Sequence, residues 1–479
     1  MKKLVSILMI ASLFSLEAIA QNEIDALRYS RLNYSGSARF VAMGGAFGAL
    51  GADFTTLSHN PAGIGLYRSS EISITPSIGI TRTEATLDGN FREDSRYNFN
   101  LGSAGIVMAS SAESRNSQSA WKNIQFGFGI NRMANFNNRV NIDSDNMQSS
   151  FLTSYLENAR GVHPDDLGAF DTRLAYDTEL LFVVDSANWR YGIDKPNGGV
   201  NQRKSIDSKG SINEMVFSLG ANYNDRLYLG ATIGVPYIRY IENSTLTETA
   251  LADDNTVFNS LTRTDFLETS GTGINFKFGM IFRATDWLRL GGAIHTPTFY
   301  SSMSDNYSAT MRARYDNGFT ASSSANGIYD YELTTPMRAI GSVGFIIGKS
   351  GVISADYEYV DYTSSRLRAP DYDFYDENQS ISSIYQEAHN LRFGTEWRYG
   401  AINFRGGYGI SGNPYIYGTN SAISTYSAGI GIREKNFYID MAWVGSQFDD
   451  QYYLYSGLVK PAATKTFNNS FLLTIGIKY

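Results

Sequence analysis

The sequence predicts an all-β protein, a transmembrane antiparallel β-barrel of about fourteen strands. Three observations carry this. The chain opens with an export signal, and no later apolar run approaches the roughly 20 residues that a spanning helix needs. From Glu71 onward apolar and polar residues alternate in segments close to the 9–11 residues of a tilted membrane strand. Short polar turns then alternate with long connections, an asymmetry that a soluble sandwich or propeller has no reason to show.

The elements follow in order. Lys2 and Lys3 precede the apolar run Leu4 to Phe14, and Ala18-Ile19-Ala20 supplies a small-x-small cleavage site. Residues 1–20 are therefore expected to be a secretory signal peptide, with the mature chain beginning at Gln21. Residues 21–35 place Ile24, Leu27 and Leu32 at near-helical spacing. The next stretch, Ser37 to Arg68, is small-residued and apolar, with four glycines from Gly44 to Gly51 and Pro61 near its end. Its glycines, Arg39, Asp53 and Pro61 exclude a membrane helix, so it is expected to be a compact coil enclosed by other protein.

Strands are expected from Glu71 to about Ile80, at Tyr97–Ala109, Trp121–Met133, Asn213–Tyr223, Leu227–Tyr240, Gly273–Arg283 and Trp287–Tyr300. They continue at Met337–Ile347, Val352–Thr363, His389–Arg398, Ile402–Ile410, Thr425–Ile432, Phe437–Gly445 and Asn469–Tyr479. An even count places both chain ends in the periplasm. The connections 134–212, 242–270, 301–336 and 364–388 are then extracellular, the first with helices expected over Met147–Ala159 and Asp165–Leu181. In the last strand Phe471, Leu473, Ile475, Ile477 and the final Tyr479 share one face, as barrel assembly requires.

Composition agrees. The 479 residues include 32 Tyr and 28 Phe, and only 18% are charged, below the roughly 25% usual for soluble domains. Aromatic girdles and an apolar outer face account for both figures. Mean hydropathy is nonetheless negative, at -0.24, because lumen-facing positions are polar. A net charge of -7 argues against a nucleic-acid partner. The chain has no cysteine, which excludes a lipid anchor.

Catalytic chemistry is not indicated. The four histidines, His59, His163, His295 and His389, form no HExxH, and no GxSxG elbow occurs. Asp143 and Asp145 begin a calcium-loop spacing that fails at Met147, so a solvated acidic loop is the better reading. His59 could ligate haem iron, but a lone histidine is more often a hydrogen-bonded packing residue.

The segment Ser37-Ala38-Arg39, the block GGAFGALGAD from Gly44 to Asp53, and Asn60-Pro61-Ala62-Gly63 lie between a signal peptide and amphipathic strands. Together they resemble the FadL/TodX family of outer-membrane transporters for long-chain fatty acids and other hydrophobic molecules. The resemblance is close over Ser37–Arg68, loose over the strand plan and almost absent from the extracellular loops. It implies a periplasmic hatch over residues 21–70 and a barrel over 71–479, with Asn60, Pro61, Ala62 and Gly63 as the hatch motif. It also implies lateral release through the barrel wall; the short N-terminal segment carries no recognisable TonB-box sequence, which favours energy-independent uptake, and no cofactor is expected. A collecting groove would then involve Met147, Phe151, Leu152, Tyr155 and Leu156, although these residues read equally well as packing their loop onto itself. A bend in the third strand would fall at Gly127 and Gly129, although glycines there also suit close packing against an aromatic neighbour. The expected partners are hydrophobic small molecules, outer-membrane lipid and the barrel-assembly machinery, and a monomer is expected. The alternatives are a haem or other hydrophobic-cofactor receptor, and a surface adhesin or structural barrel.

Overall fold

A computed structural model describes residues 22–33, 35–111, 120–147, 149–193, 199–251, 258–418, 420–455 and 460–479. The expected signal peptide and the expected mature terminus at Gln21 lie outside the described residues.

Fourteen antiparallel strands form one closed wall. They are β1 (Glu71–Leu87), β2 (Asn90–Ser111), β3 (Trp121–Asn135 continued by Asn138–Met147), β4 (Val200–Tyr223) and β5 (Leu227–Ala250). Next come β6 (Phe258–Arg283), β7 (Leu288–His295 continued by Phe299–Tyr315), β8 (Thr320–Thr334 continued by Arg338–Ile347) and β9 (Gly351–Asp361 continued by Arg366–Arg368). The wall ends with β10 (Glu387–Tyr399), β11 (Ile402–Ser411), β12 (Ile423–Arg433), β13 (Phe437–Tyr452) and β14 (Ala462–Lys478). Each strand pairs with the next, and β14 pairs back onto β1 from Glu71↔Lys478 to Thr86↔Ala463, which removes both sheet edges. Pro76, which lacks a ladder donor, sits at a bulge in β1, where such a residue is tolerated.

Strict alternation explains why these residues form a wall. In β1 the outward Ile72, Ile74 and Ile78 are each about half exposed, whereas the inward Ser73, Thr75 and Ser77 are buried. The same exposed apolar row continues through Phe217 and Leu219 on β4, Phe276 and Phe278 on β6, and Phe471, Ile475 and Ile477 on β14. A band of this extent would drive aggregation in water, and hydrocarbon is its compatible surrounding. Among the described residues no helix is long and apolar enough to cross a membrane.

The wall is uneven in height. Strands β4, β5 and β6 run for 24, 24 and 26 residues, whereas β10, β11 and β12 have 13, 10 and 11. The tall strands exceed twice the membrane requirement of about 10 residues, so they rise beyond it as a freestanding sheet. This corrects two expectations. The connections 242–270 and 301–336 are mostly strand, because each tall neighbour offers the next a continuing ladder. Much of 134–212 is likewise strand in β3 and β4. Within it the helices are shorter than expected, α4 at Leu152–Asn158 and α5 at Thr172–Asp177, beside a small hairpin, Leu181–Asp185 with Arg190–Ile193.

Three layers fill the lumen. At the tall end of the wall, α4, α5 and the hairpin cover the long strands. Below them α1 (Glu23–Ser30) is capped by Asn22 and buries Ala26, Leu27 and Tyr29 among Ile212, Ile238, Tyr240 and Tyr385. At the opposite end lie α2 (Ala38–Ala42), α3 (Thr56–His59) and a 3-10 turn, Pro61–Leu66.

Candidate functional site: a sealed hatch below an interrupted wall

The hatch begins at Ser37, whose hydroxyl caps α2 by accepting from Phe40 N at 3.1 Å and donates to Asp53 at 2.6 Å. Its motif behaves as the side-chain chemistry dictates. Asn60 Oδ1 accepts from Ala62 N at 3.1 Å, which caps the turn, and Pro61 occupies the first helical position, where no donor is needed. The Asn60 amide donates to Gly48 O at 2.5 Å and to Met280 O on the wall at 3.3 Å. Ala62 is fully buried against Tyr228 and Ile281. Gly63 closes the motif, its carbonyl accepting from Ala52 N at 3.0 Å.

A buried carboxylate fastens this unit to the wall. Asp356 Oδ2 on β9 accepts from Phe47 N at 3.0 Å, Gly48 N at 2.9 Å and His59 Nε2 at 2.8 Å. His295 Nε2 donates in turn to His59 O at 2.8 Å. Arg39 grips Glu396 through two bonds of 2.9 and 3.0 Å, and Arg405 links Glu396 to Asp440. Charges buried in this way require partners, and each here has one. Sequence reasoning missed these acids; the signal that could have found them is an Asp or Glu at an inward position of a membrane strand, and the partners leave no such signal. The Nε2 atoms of His59 and His295 are thereby engaged in packing contacts, and among the described residues no group of three or more His, Asp or Glu could hold a metal ion.

The wall meets the hatch through backbone. A Cβ on Gly230 would lie 2.2 Å from Pro61 O, and one on Gly279 would lie 2.0 Å from Asn60 Oδ1. The strands can approach this closely only because these positions lack side chains. Gly127 and Gly129 serve the same purpose. Their missing Cβ atoms would meet Leu57 and Phe54 of the hatch, each at 2.5 Å. They pair in register with Val107 and Gly105, so the ladder is unbroken at the expected strand-kink positions.

The departure lies higher on β3. Strands β2 and β3 share a ladder only from Ser103↔Asn131 to Ser111↔Asn123. Above it, β2 pairs only with β1, and β3 shifts register at Arg132–Ala134, breaks before Asn138 and pairs only with β4. Two backbone donors of the plug, Asn33 N and Ser35 N, bond Met133 O at 2.8 Å and Arg132 O at 3.1 Å. Near the extracellular end side chains bridge the strands instead. Arg92 reaches Asp143 at 2.5 Å, Asn141 reaches Asp94 at 2.5 Å, and Asn98 reaches Asn135 at 3.4 Å. Burial pushes the Asp143 carboxyl up, but hydrogen bonds from Arg92 and Asn201 hold it below the usual carboxylate range. Between ladder and bridges the wall has no backbone pairing. Tyr97 and Phe99 on the outer face of β2 beside this gap are 71% and 77% exposed. A cavity of about 130 Å³ opens on the same level, lined by Phe40, Val41, Asn100, Arg132, Ala134, Asn135 and Arg392 among others.

The expected collecting residues lie in the extracellular cap. Phe151, Leu152 and Tyr155 are buried among Leu174, Leu246, Leu261 and Tyr455, and Leu156 packs at the edge of that cluster. Glu248 accepts from Phe151 N at 2.6 Å, and Arg263 bonds the Tyr155 and Tyr307 hydroxyls. The loop is therefore packed onto itself. Met147 ends β3, and its side chain lies outside the described residues.

No family model matches the sequence, and no curated protein matches it. Solved structures do match over nearly its whole length. A Pseudomonas aeruginosa FadL homologue is 12% identical with a TM-score of 0.56, and the P. putida toluene transporter TodX is 11% identical with a TM-score of 0.56. The Ralstonia pickettii toluene transporter TbuX is 15% identical with a TM-score of 0.51. Each alignment covers 93% of this chain and 99% of the other. With fourteen strands closed on themselves, an apolar outer band and an N-terminal plug, this chain has the fold of the FadL/TodX family of outer-membrane barrels.

Proposed function

We propose that this protein moves hydrophobic small molecules, long-chain fatty acids among the candidates, across the outer membrane and releases them sideways between β2 and β3. The observation that carries the reading is the contrast between the two exits. Toward the periplasm, hatch and wall are in close contact at Gly230 and Gly279 and tied through Asp356, which argues against an axial route. Toward the bilayer, the β2–β3 ladder stops at Ser103↔Asn131, beside the lumen cavity. An apolar molecule gains free energy on entering lipid and needs only a gap in backbone pairing, so the wall is the favourable exit. The similar structures include the toluene transporters TodX and TbuX, which supports this cargo class.

The test closes the gap. Cysteines replacing Asn98 and Asn135 would be the only thiols in the chain, and the native amides are in contact across the gap at 3.4 Å. Bridging them with a short cleavable thiol reagent is expected to reduce uptake of labelled oleate and toluene into proteoliposomes to background, with recovery after reduction. Unchanged uptake with the bridge in place would refute lateral release.

A further inference from the structure

We propose that the cavity beside the β2–β3 gap binds a compact amphiphile, a ring-sized apolar body with one anionic group, and that Arg132 holds that group. This rests on the transport reading above and narrows its cargo.

Size is the first argument. An apolar protein cavity of about 150 Å³ holds one benzene. The cavity here, at about 130 Å³, suits a single six-membered ring and cannot enclose a long acyl chain. Lining chemistry is the second. Phe40 and Val41 offer apolar contact, but Asn100, Asn135 and Arg132 present amide and guanidinium groups to the same space. A bare hydrocarbon would cover these groups without satisfying them, which costs free energy for each one left unpaired.

Charge is the third argument. Arg39, Arg338, Arg392 and Arg405 all lie on carboxylates. Arg132 does not. Its Nε is buried and makes no hydrogen bond among the described residues, and no acid there is paired with it. A planar guanidinium matches a carboxylate in two parallel bonds, so a ligand carboxylate supplies what the protein withholds. Position is the fourth. Arg132 is the first residue of β3 beyond its ladder with β2, so the site stands at the gap itself.

The experiment uses the full chain in detergent and in proteoliposomes, with benzoate, toluene and palmitate as probes. Benzoate is expected to bind saturably, and Arg132→Gln to weaken it about tenfold, the loss of one charge-assisted contact. Toluene entry is expected to stay within about twofold, since no charge is lost from its path. Arg132→Lys should retain part of the benzoate affinity, and heat-modifiable migration of both variants confirms that the barrel has formed. Entry of toluene or palmitate without benzoate binding overturns the proposal and leaves the transport reading standing. So does an equal loss of all three probes in Arg132→Gln, or palmitate competing with benzoate at equal affinity. If none of the three enters the vesicles, the transport reading fails and the proposal falls with it.

Discussion

Replacing Gly230 with alanine adds one methyl group where the wall meets the hatch. That carbon would stand 2.2 Å from Pro61 O, 2.3 Å from Pro61 C and 2.6 Å from Ala62 N. All three are backbone atoms, so no side chain can swing aside. Restoring ordinary contact moves the Pro61–Ala62 segment by about 1 Å. Overpacking of this kind costs about 1–3 kcal/mol. The same movement carries the Asn60 amide out of reach of Met280 O, already 3.3 Å away, and adds about 1 kcal/mol for the lost bond. Docking of the hatch should therefore weaken by about 2–4 kcal/mol in total. The matched control is Gly341→Ala, where an added carbon meets nothing within 4 Å and the expected change is at most about 0.5 kcal/mol. Two measurements read the difference: urea unfolding in micelles, and ion conductance in planar bilayers. Gly230→Ala should unfold at lower urea and leak current, and Gly341→Ala should do neither. A Gly230→Ala barrel as stable and as tight as the control would refute the backbone-contact account of the seal.

Asp356→Ala strips the acceptor from Phe47 N, Gly48 N and His59, leaving buried donors unpaired at about 3–5 kcal/mol, whereas Asp356→Asn keeps an acceptor oxygen and should cost less. Limited proteolysis from the periplasmic side, with cleavage within residues 44–63 only in the alanine variant, checks the order of effect. For topology, a cysteine at Asn317 should react with an impermeant reagent on intact cells and one at Lys349 should not. Equal labelling would overturn this topology.

The wall was legible because a membrane strand has two unlike solvents. Ile72 and Ile74 face lipid while Ser73 and Thr75 face the lumen, so period two is written in strong contrast. Above the membrane that contrast fades. On β7 the buried Met303, Ala309 and Met311 alternate with polar residues, but their spacing is diluted by Ser, Asn and Asp, and the stretch reads as loop. The hatch motif was legible at Asn60, whose capping amide needs only local chain. The gap was not. It depends on which donors reach the carbonyls of Arg132 and Met133, and those donors belong to Asn33 and Ser35, about a hundred residues earlier in the chain. Local preference for bending at Gly127 and Gly129 pointed lower on the strand, because a sequence shows where a backbone is free to turn but not what lies against it. Asp356 falls on the expected strand Val352–Thr363, but its three hatch donors emerge only from the fold.

The order of the chain sets a problem in time. The hatch precedes β1, yet the ring shuts only when β14, the last strand, reaches Glu71. Contacts as close as those of Pro61 with Gly230, or Gly44 N with Gly407, leave no clearance for a folded plug to be pushed into a finished cylinder. The N-terminal segment must already stand inside while the strands curl around it. It thus serves as a mandrel: a segment that precedes every strand sets the bore on which each later hairpin is wound.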